Sequence, residues 1–264
     1  QKDQAEKHKK STRCVGEPKN CHSRRFRYTF FMIQDKNGDT LEKLLSYAEF
    51  KGKKILEIGC GEGRVTQMYA KDAGRVIGIE PQFGAICKAK QTVSEPFFLC
   101  GSGMSLPFYA ENFDLVLFTL SLHHHPDCLA ALCEARRVLC SGGLVLVLEP
   151  TPESQIQSFC RVFEDEDHRL AAAEKALHQS NLEITSKKRF HTYWEFTDFE
   201  DAANYAFSHY SHPPDREKRN ALKSFLGQQA HAIPIHMTDT LQLTVLRRSS
   251  EMDPDTSAIA HEGK

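Results

Sequence analysis

The chain has 264 residues, 40% hydrophobic and 26% charged, with a formal net charge of -1. That is enough apolar material for a full core in one domain with embellishments, and the balanced charge excludes a global field drawing the protein to nucleic acid or anionic lipid. Its nine cysteines are odd in number and scattered, which predicts reduced thiols and a cytoplasmic protein rather than a disulfide framework.

No apolar run approaches the ~18 residues of a membrane span, and the first residues are polar rather than signal-like. Residues 1–25, basic and nearly free of large apolar side chains, cannot offset the entropy of ordering and read as a flexible basic arm. The arm either touches an anionic substrate or is a solvated tail. Phe26, Tyr28, Phe30 and Phe31 follow, as a lid over a pocket or as simple packing. Cys14 and Cys21-His22 lack a second closely spaced ligand pair, so no metal site is expected.

Asn37-Gly38-Asp39-Thr40 predicts a turn and an N-cap before a helix carrying Leu41, Leu44, Leu45 and Ala48. Strands near 54–58, 75–79, 96–100, 113–118 and 144–149 then alternate with helices near 63–71, 83–91 and 127–140, which predicts a parallel sheet with right-handed crossovers. After Pro150 the apolar spacing turns helical, with Ile156, Phe159, Cys160 and Phe163 on one face. Period-two alternation returns at 182–185 and 241–245, as for two further strands. Between them Thr197-x-x-Glu200 has the form of a capping box, and Phe199, Ala202, Ala203, Ala206 and Tyr210 share a helix face. Residues 198–230 are expected to form a helical cap over the site. The main domain would run over 26–248, with a disordered tail at 249–264.

The densest signal is Lys54-Ile55-Leu56-Glu57-Ile58-Gly59-Cys60-Gly61-Glu62-Gly63-Arg64, a buried strand breaking into alternate glycines before a helix. Glycines there permit positive φ and let a ligand approach the helix start without a Cβ in the way. The next strand ends in Glu80, about 20 residues on, where a ribose hydroxyl pair can be received. The same carboxylate could instead cap the following helix.

The segment Ile55 to Gly63 resembles motif I of class I S-adenosylmethionine-dependent methyltransferases. Gly101 to Phe108, Phe113 to His124 and Arg137 to Pro150 are similar to three further blocks of that family in the same order. The pattern is closest to the ubiquinone/menaquinone-biosynthesis (type 11) small-molecule branch, over residues 40–150. The resemblance implies an α/β fold, a doubly wound, mostly parallel seven-stranded Rossmann-like sheet with an antiparallel last strand. It also implies S-adenosyl-L-methionine as cofactor, S-adenosyl-L-homocysteine as product and a small-molecule methyl acceptor as partner, with nucleic acid disfavoured.

Carried over by position, Glu57, Gly59, Cys60 and Gly61 would surround the methionine portion, Glu80 the ribose, and Ser102 with Gly103 the adenine. Thr119 would offer its carbonyl to the ammonium. Most relatives carry Asp where this chain has Ser102, a weaker acceptor without charge.

His123, His124 and His125 follow the fourth strand of the family, where ligands of open α/β sheets bind. His123 or His124 could deprotonate the acceptor, or the histidines could satisfy local backbone groups. His191, Tyr193, Trp194, Tyr205 and Tyr210 either line an acceptor pocket or form the core of the cap. No Asn/Asp-Pro-Pro-Tyr/Phe signature follows the fourth strand, and no acidic set that would hold a divalent ion is evident. Two alternatives stand beside small-molecule methyl transfer. One is an RNA methyltransferase, from the basic arm and the likeness of Leu122-His123-His124 to some wobble-uridine enzymes. The other is a catalytically silent methyltransferase-like scaffold, from Ser102 and the long cap.

Overall fold

A computed structural model describes residues 32–92 and 96–248. The expected basic arm, the aromatic lead-in at 26–31 and the tail at 249–264 lie outside the described residues.

The chain enters as a short strand, β1 (Met32–Gln34), and a helix, α1 (Asp39–Leu45). The N-cap position is Gly38, which makes no side-chain cap hydrogen bond, and the helix start is satisfied from upstream: the Asp35 carboxylate accepts the amides of Asp39 and Thr40 at 2.8 and 3.0 Å. There follow β2 (Lys54–Ile58), α2 (Thr66–Tyr69), β3 (Arg75–Glu80), α3 (Phe83–Thr92), β4 (Phe97–Cys100) and β5 (Phe113–Thr119). Then come α4 (Cys128–Val138), β6 (Leu139–Pro150), α5 (Gln155–Cys160), α6 (Asp167–Gln179), β7 (Glu183–Phe196), α7 (Phe199–His209), α8 (Arg216–Leu226) and β8 (Ile235–Arg247).

The sheet order is β1-β7-β8-β6-β5-β2-β3-β4. β2 to β6 run parallel, and β8 is antiparallel to both β6 and β7. This is the expected doubly wound sheet with an antiparallel last strand, widened to eight strands by β1, which pairs antiparallel to β7. A three-residue strand is too short to announce itself by period-two patterning.

The parallel strands are apolar on both faces because both faces are covered. Alternate residues of β2, β5 and β6 divide accordingly. Leu56, Ile58, Val116, Phe118, Val145 and Val147 pack under α4 and α6; Ile55, Leu115, Leu117, Leu146 and Leu148 pack under α1, Phe50 and Tyr69. Three differences from expectation have plain causes. The helix expected over 63–71 is shortened to α2, and it cannot begin at Gly63, which holds φ of 80°, a value that a right-handed helix does not adopt. The strands expected at 182–185 and 241–245 are the much longer β7 and β8, which pair antiparallel as one long hairpin whose connection carries α7 and α8 and whose outer half extends past the end of β6. The N-cap expected at Thr197 is Asp198, which accepts the Asp201 amide at 2.9 Å while Asp201 accepts the Thr197 amide at 2.9 Å; the box lies one residue further on.

Within 198–230, α7 and α8 bury Ala202, Ala203, Ala206, Phe207, Leu222 and Leu226 against α5 and the outer half of the hairpin. This third core shares no residue with the two cores flanking the sheet.

Candidate active site at the ends of the parallel strands

The glycine turn is fitted tightly on one side and open on the other. Gly59 sits against the loop after β5, where a Cβ on it would lie 2.5 Å from Ser121 Cβ, whereas a Cβ at Gly61 would meet nothing within 4 Å. Gly61 therefore borders free space at the mouth of β2. Glu80, buried at the end of β3, accepts the Gly61 amide at 3.2 Å and the Gln82 amide at 3.0 Å. It both ties the turn to β3 and steadies the entry into α3, and each oxygen keeps a lone pair for a further donor.

Glu57 lies one layer below. It is fully buried and accepts hydroxyl hydrogen bonds from Thr66 (2.6 Å), Tyr69 (2.7 Å) and Thr119 (2.5 Å). Burial raises its pKa, only partly opposed by these three hydroxyls and by Arg64. The Thr119 side chain is thus engaged inward, and Leu120 beyond it takes φ of 58°. A left-handed backbone is costly for a bulky residue and is characteristic of functional loops. Ser121 completes the turn, donating to the Ile58 carbonyl at 2.6 Å.

Cys60 turns its thiol away from the opening, into a cluster with Ile86, Ala89 and Phe98. Burial raises its pKa strongly, so only its backbone can face a ligand. Ser102 accepts the Met104 amide at 3.2 Å. Gly103 is packed so closely that a Cβ would come within 2.4 Å of His125 Nε2.

The three histidines part ways. His125 bonds through Nδ1 to the Ser121 and Leu122 carbonyl oxygens, at 3.0 and 3.3 Å, and serves the loop. His123, on the 3-10 turn Leu122–His124, is buried with Nδ1 hydrogen-bonded to Glu149, whose other oxygen accepts the Leu122 amide at 2.8 Å. Burial lowers the His123 pKa, but the Glu149 charge and hydrogen bond, with Glu166, more than offset it and leave it raised. The His124 ring lies 3.9 Å from that of His123, centre to centre, and reaches solvent. Desolvation and the neighbouring His123 and Arg169 push its pKa down to about 3.

Sequence reasoning missed four residues here. Arg64 follows the glycine turn directly. Its Nη1 is buried without a hydrogen-bond partner among the described residues, and burial lowers its pKa against the fields of Glu57, Asp35 and Asp239. Glu149 terminates an apolar strand as Glu80 does, the same signal that drew attention to Glu80. Glu166 and His209, the latter near enough to His124 for its charge to act on that ring, carry no comparable mark. Of the aromatic candidates, His191 and Tyr193 are exposed. Trp194 is buried, donating to Asp239 at 3.2 Å. Tyr205 packs edge-on to Trp194 at 5.2 Å, and Tyr210 stacks on Phe163 at 5.2 Å.

Comparison with known proteins finds methyltransferases. Residues 56–147 match the methyltransferase-domain family of type 11. An uncharacterised methyltransferase of Schizosaccharomyces pombe is 32% identical over 154 residues, covering 52% of this chain and 54% of the relative. A demethylmenaquinone methyltransferase of Bacillus subtilis is 31% identical over 136 residues, covering 43% and 58%. The chain thus spans little more than half the length of these relatives. A crystal structure of a putative methyltransferase from Bacillus halodurans superposes with a TM-score of 0.62 at 20% identity, over 81% of this chain and 100% of that one, which speaks to the fold. Among the described residues no helix is long and apolar enough to cross a membrane.

Proposed function

The chain belongs to the class I S-adenosylmethionine-dependent methyltransferases of type 11, and from that premise we propose that it methylates a small-molecule acceptor held between the glycine turn and α7. The observation that carries this is the pairing of an open Gly61 with the buried Glu80 carboxylate and an Arg64 guanidinium nitrogen that has no hydrogen-bond partner among the described residues. These residues fit the cofactor. Glu80 would accept from the ribose hydroxyls, Arg64 would receive the methionine carboxylate, and the turn around Ser102 and Gly103 would border adenine. With Ser102 Oγ already accepting the Met104 amide, adenine recognition would fall largely to backbone groups.

S-adenosylmethionine supplies a methyl group already activated on sulfonium, so the protein's task is alignment and exclusion of water. Glu57 fixes the floor by holding β2, α2 and β5 together through its three hydroxyl partners. Gly59 and Ser121 bring the loop after β5 against the turn, which carries Thr119 to the donor side and His123 and His124 to the acceptor side. Glu149 holds His123 in one orientation, and His124 presents its ring to the opening. The name of the Bacillus subtilis relative supports a small organic acceptor.

Calorimetric titration of S-adenosylmethionine and S-adenosylhomocysteine into the purified protein and into Glu80→Ala tests the proposal. Micromolar binding weakened by at least tenfold in the variant is expected. No binding to the intact chain would overturn it in favour of a scaffold role.

A further inference from the structure

Beyond the donor pocket, one group of side chains has the composition and spacing of an inner coordination sphere. His123, His124 and Glu166 each offer one ligand atom, and these atoms lie within 4.8 Å of one another, the only such group among the described residues. His123 Nε2 stands 3.9 Å from Glu166 Oε2. That is too long for a hydrogen bond and close to the separation of about 3.3 Å between two ligands of a tetrahedral ion bound at about 2.0–2.1 Å. We propose that His123, His124 and Glu166 form an open three-ligand site for a divalent cation of zinc-like preference.

The surroundings are those of a built site. His123 is oriented from behind by Glu149 through Nδ1, leaving Nε2 to face the cluster. A carboxylate on the far nitrogen of a ligating imidazole is the usual outer support of a metal-bound histidine, since it fixes ring orientation and raises ligand basicity. Glu149 is itself fixed by the Leu122 amide. Glu166 is buried, and its Oε1 is taken by Arg169 at 3.3 Å, so Oε2 is the oxygen left for coordination. Gln157 approaches that oxygen only at 3.5 Å. Arg169 also pairs with Glu164, which offsets part of the positive charge nearest the site.

Two imidazoles and one carboxylate suit zinc and its first-row neighbours better than magnesium or calcium, which prefer all-oxygen shells. His123 and Glu166 are buried while His124 is exposed. One side of the group thus opens to solvent, leaving room for a fourth ligand from solvent or from a substrate. Resting on the methyl-transfer proposal, the cation would bind the acceptor's oxygen, nitrogen or sulfur there and favour its deprotonated form, with the proton passing to solvent.

The test is titration of zinc sulfate, and separately of cobalt(II), into the metal-free full chain and into Glu166→Gln, His124→Ala and Glu149→Gln, with thermal unfolding as the check that each variant folds. Expected are one zinc per chain, affinity reduced at least tenfold by Glu166→Gln and by His124→Ala, and roughly 10- to 100-fold by Glu149→Gln. The cobalt form should show nitrogen and oxygen ligand-field bands without a thiolate charge-transfer band. Absence of binding, binding that survives Glu166→Gln and His124→Ala together, or a thiolate band reporting one of the exposed cysteines Cys87, Cys100 and Cys133 would each overturn the site. S-adenosylhomocysteine titrated into the same samples reports separately on the donor pocket, so failure of one proposal is distinguishable from failure of the other.

Discussion

Gly59 and Ser121 touch across the top of the sheet so closely that a Cβ on Gly59 would lie 2.5 Å from Ser121 Cβ and 2.9 Å from its hydroxyl oxygen. The contact sets how near the loop after β5 comes to the glycine turn. Gly59→Ala meets both this overlap and a φ of 73°, and should cost about 2–4 kcal/mol of stability. Adding Ser121→Gly should restore only part of the loss, because the backbone strain remains. Denaturant unfolding of the two single variants and the double variant measures the split.

Glu57 supplies a pH-dependent prediction. Burial holds its pKa above the ordinary value, so the folded chain binds more protons at this position than the unfolded one. Its contribution to stability is therefore present below about pH 4.3, the unfolded value, and declines as pH rises through the raised folded pKa. Glu57→Gln removes the titration, so the stability of wild type minus that of the variant should fall steadily as pH rises above about 4.3. Unfolding curves for both proteins from acid to neutral pH measure this; a value of that signed difference rising with pH would contradict the account.

Arg64 should act on the amino-acid end of the donor alone. Arg64→Met is expected to weaken S-adenosylhomocysteine by roughly 10- to 150-fold, the scale of a hydrogen bond to a charged group. Binding of 5′-methylthioadenosine, which has no carboxylate, should be unchanged. Equal losses for both ligands in calorimetry would assign Arg64 to the fold rather than to the carboxylate.

The start of α7 distinguishes two neighbouring residues. Asp198 accepts the Asp201 amide through its side chain, whereas Thr197 enters only through its backbone amide. Asp198→Ala should cost about 1 kcal/mol and Thr197→Ala much less, as read from shifts in the urea midpoint.

The parallel half of the sheet and its glycine turn were legible because buried parallel strands are continuous apolar runs and a glycine-rich turn is punctuated by residues used for little else. Glu80 was legible from its spacing alone. The cation ligands were not, because Glu166 lies far along the chain from the histidines and joins them only when the N-terminal end of α6 packs against the 3-10 turn. Arg64 was passed over because an arginine after a turn is ordinarily solvated, and only burial without a partner marks it out. The long hairpin escaped notice because residues such as Lys187, Lys188 and Arg189 put charge on a strand with an exposed face, blurring the period-two signal at 186–196.

That hairpin joins two bodies of unequal cohesion. The inner residues of β8, 241–247, are clamped between β6 and β7, while 235–240 have β7 as their one strand partner, beside single hydrogen bonds from Thr151 to Thr240 and from Thr238 to Gln155, and cover the separate core beneath α7 and α8. Amide protons along this one strand should therefore exchange in two populations, the inner set only on global unfolding and the outer set through a cheaper local opening. Since the outer core shares no side chain with the others, its residues can be replaced while the packing that holds Glu57 and the glycine turn is inherited unchanged. A chain built this way can vary its outer core without relearning how to hold the glycine turn.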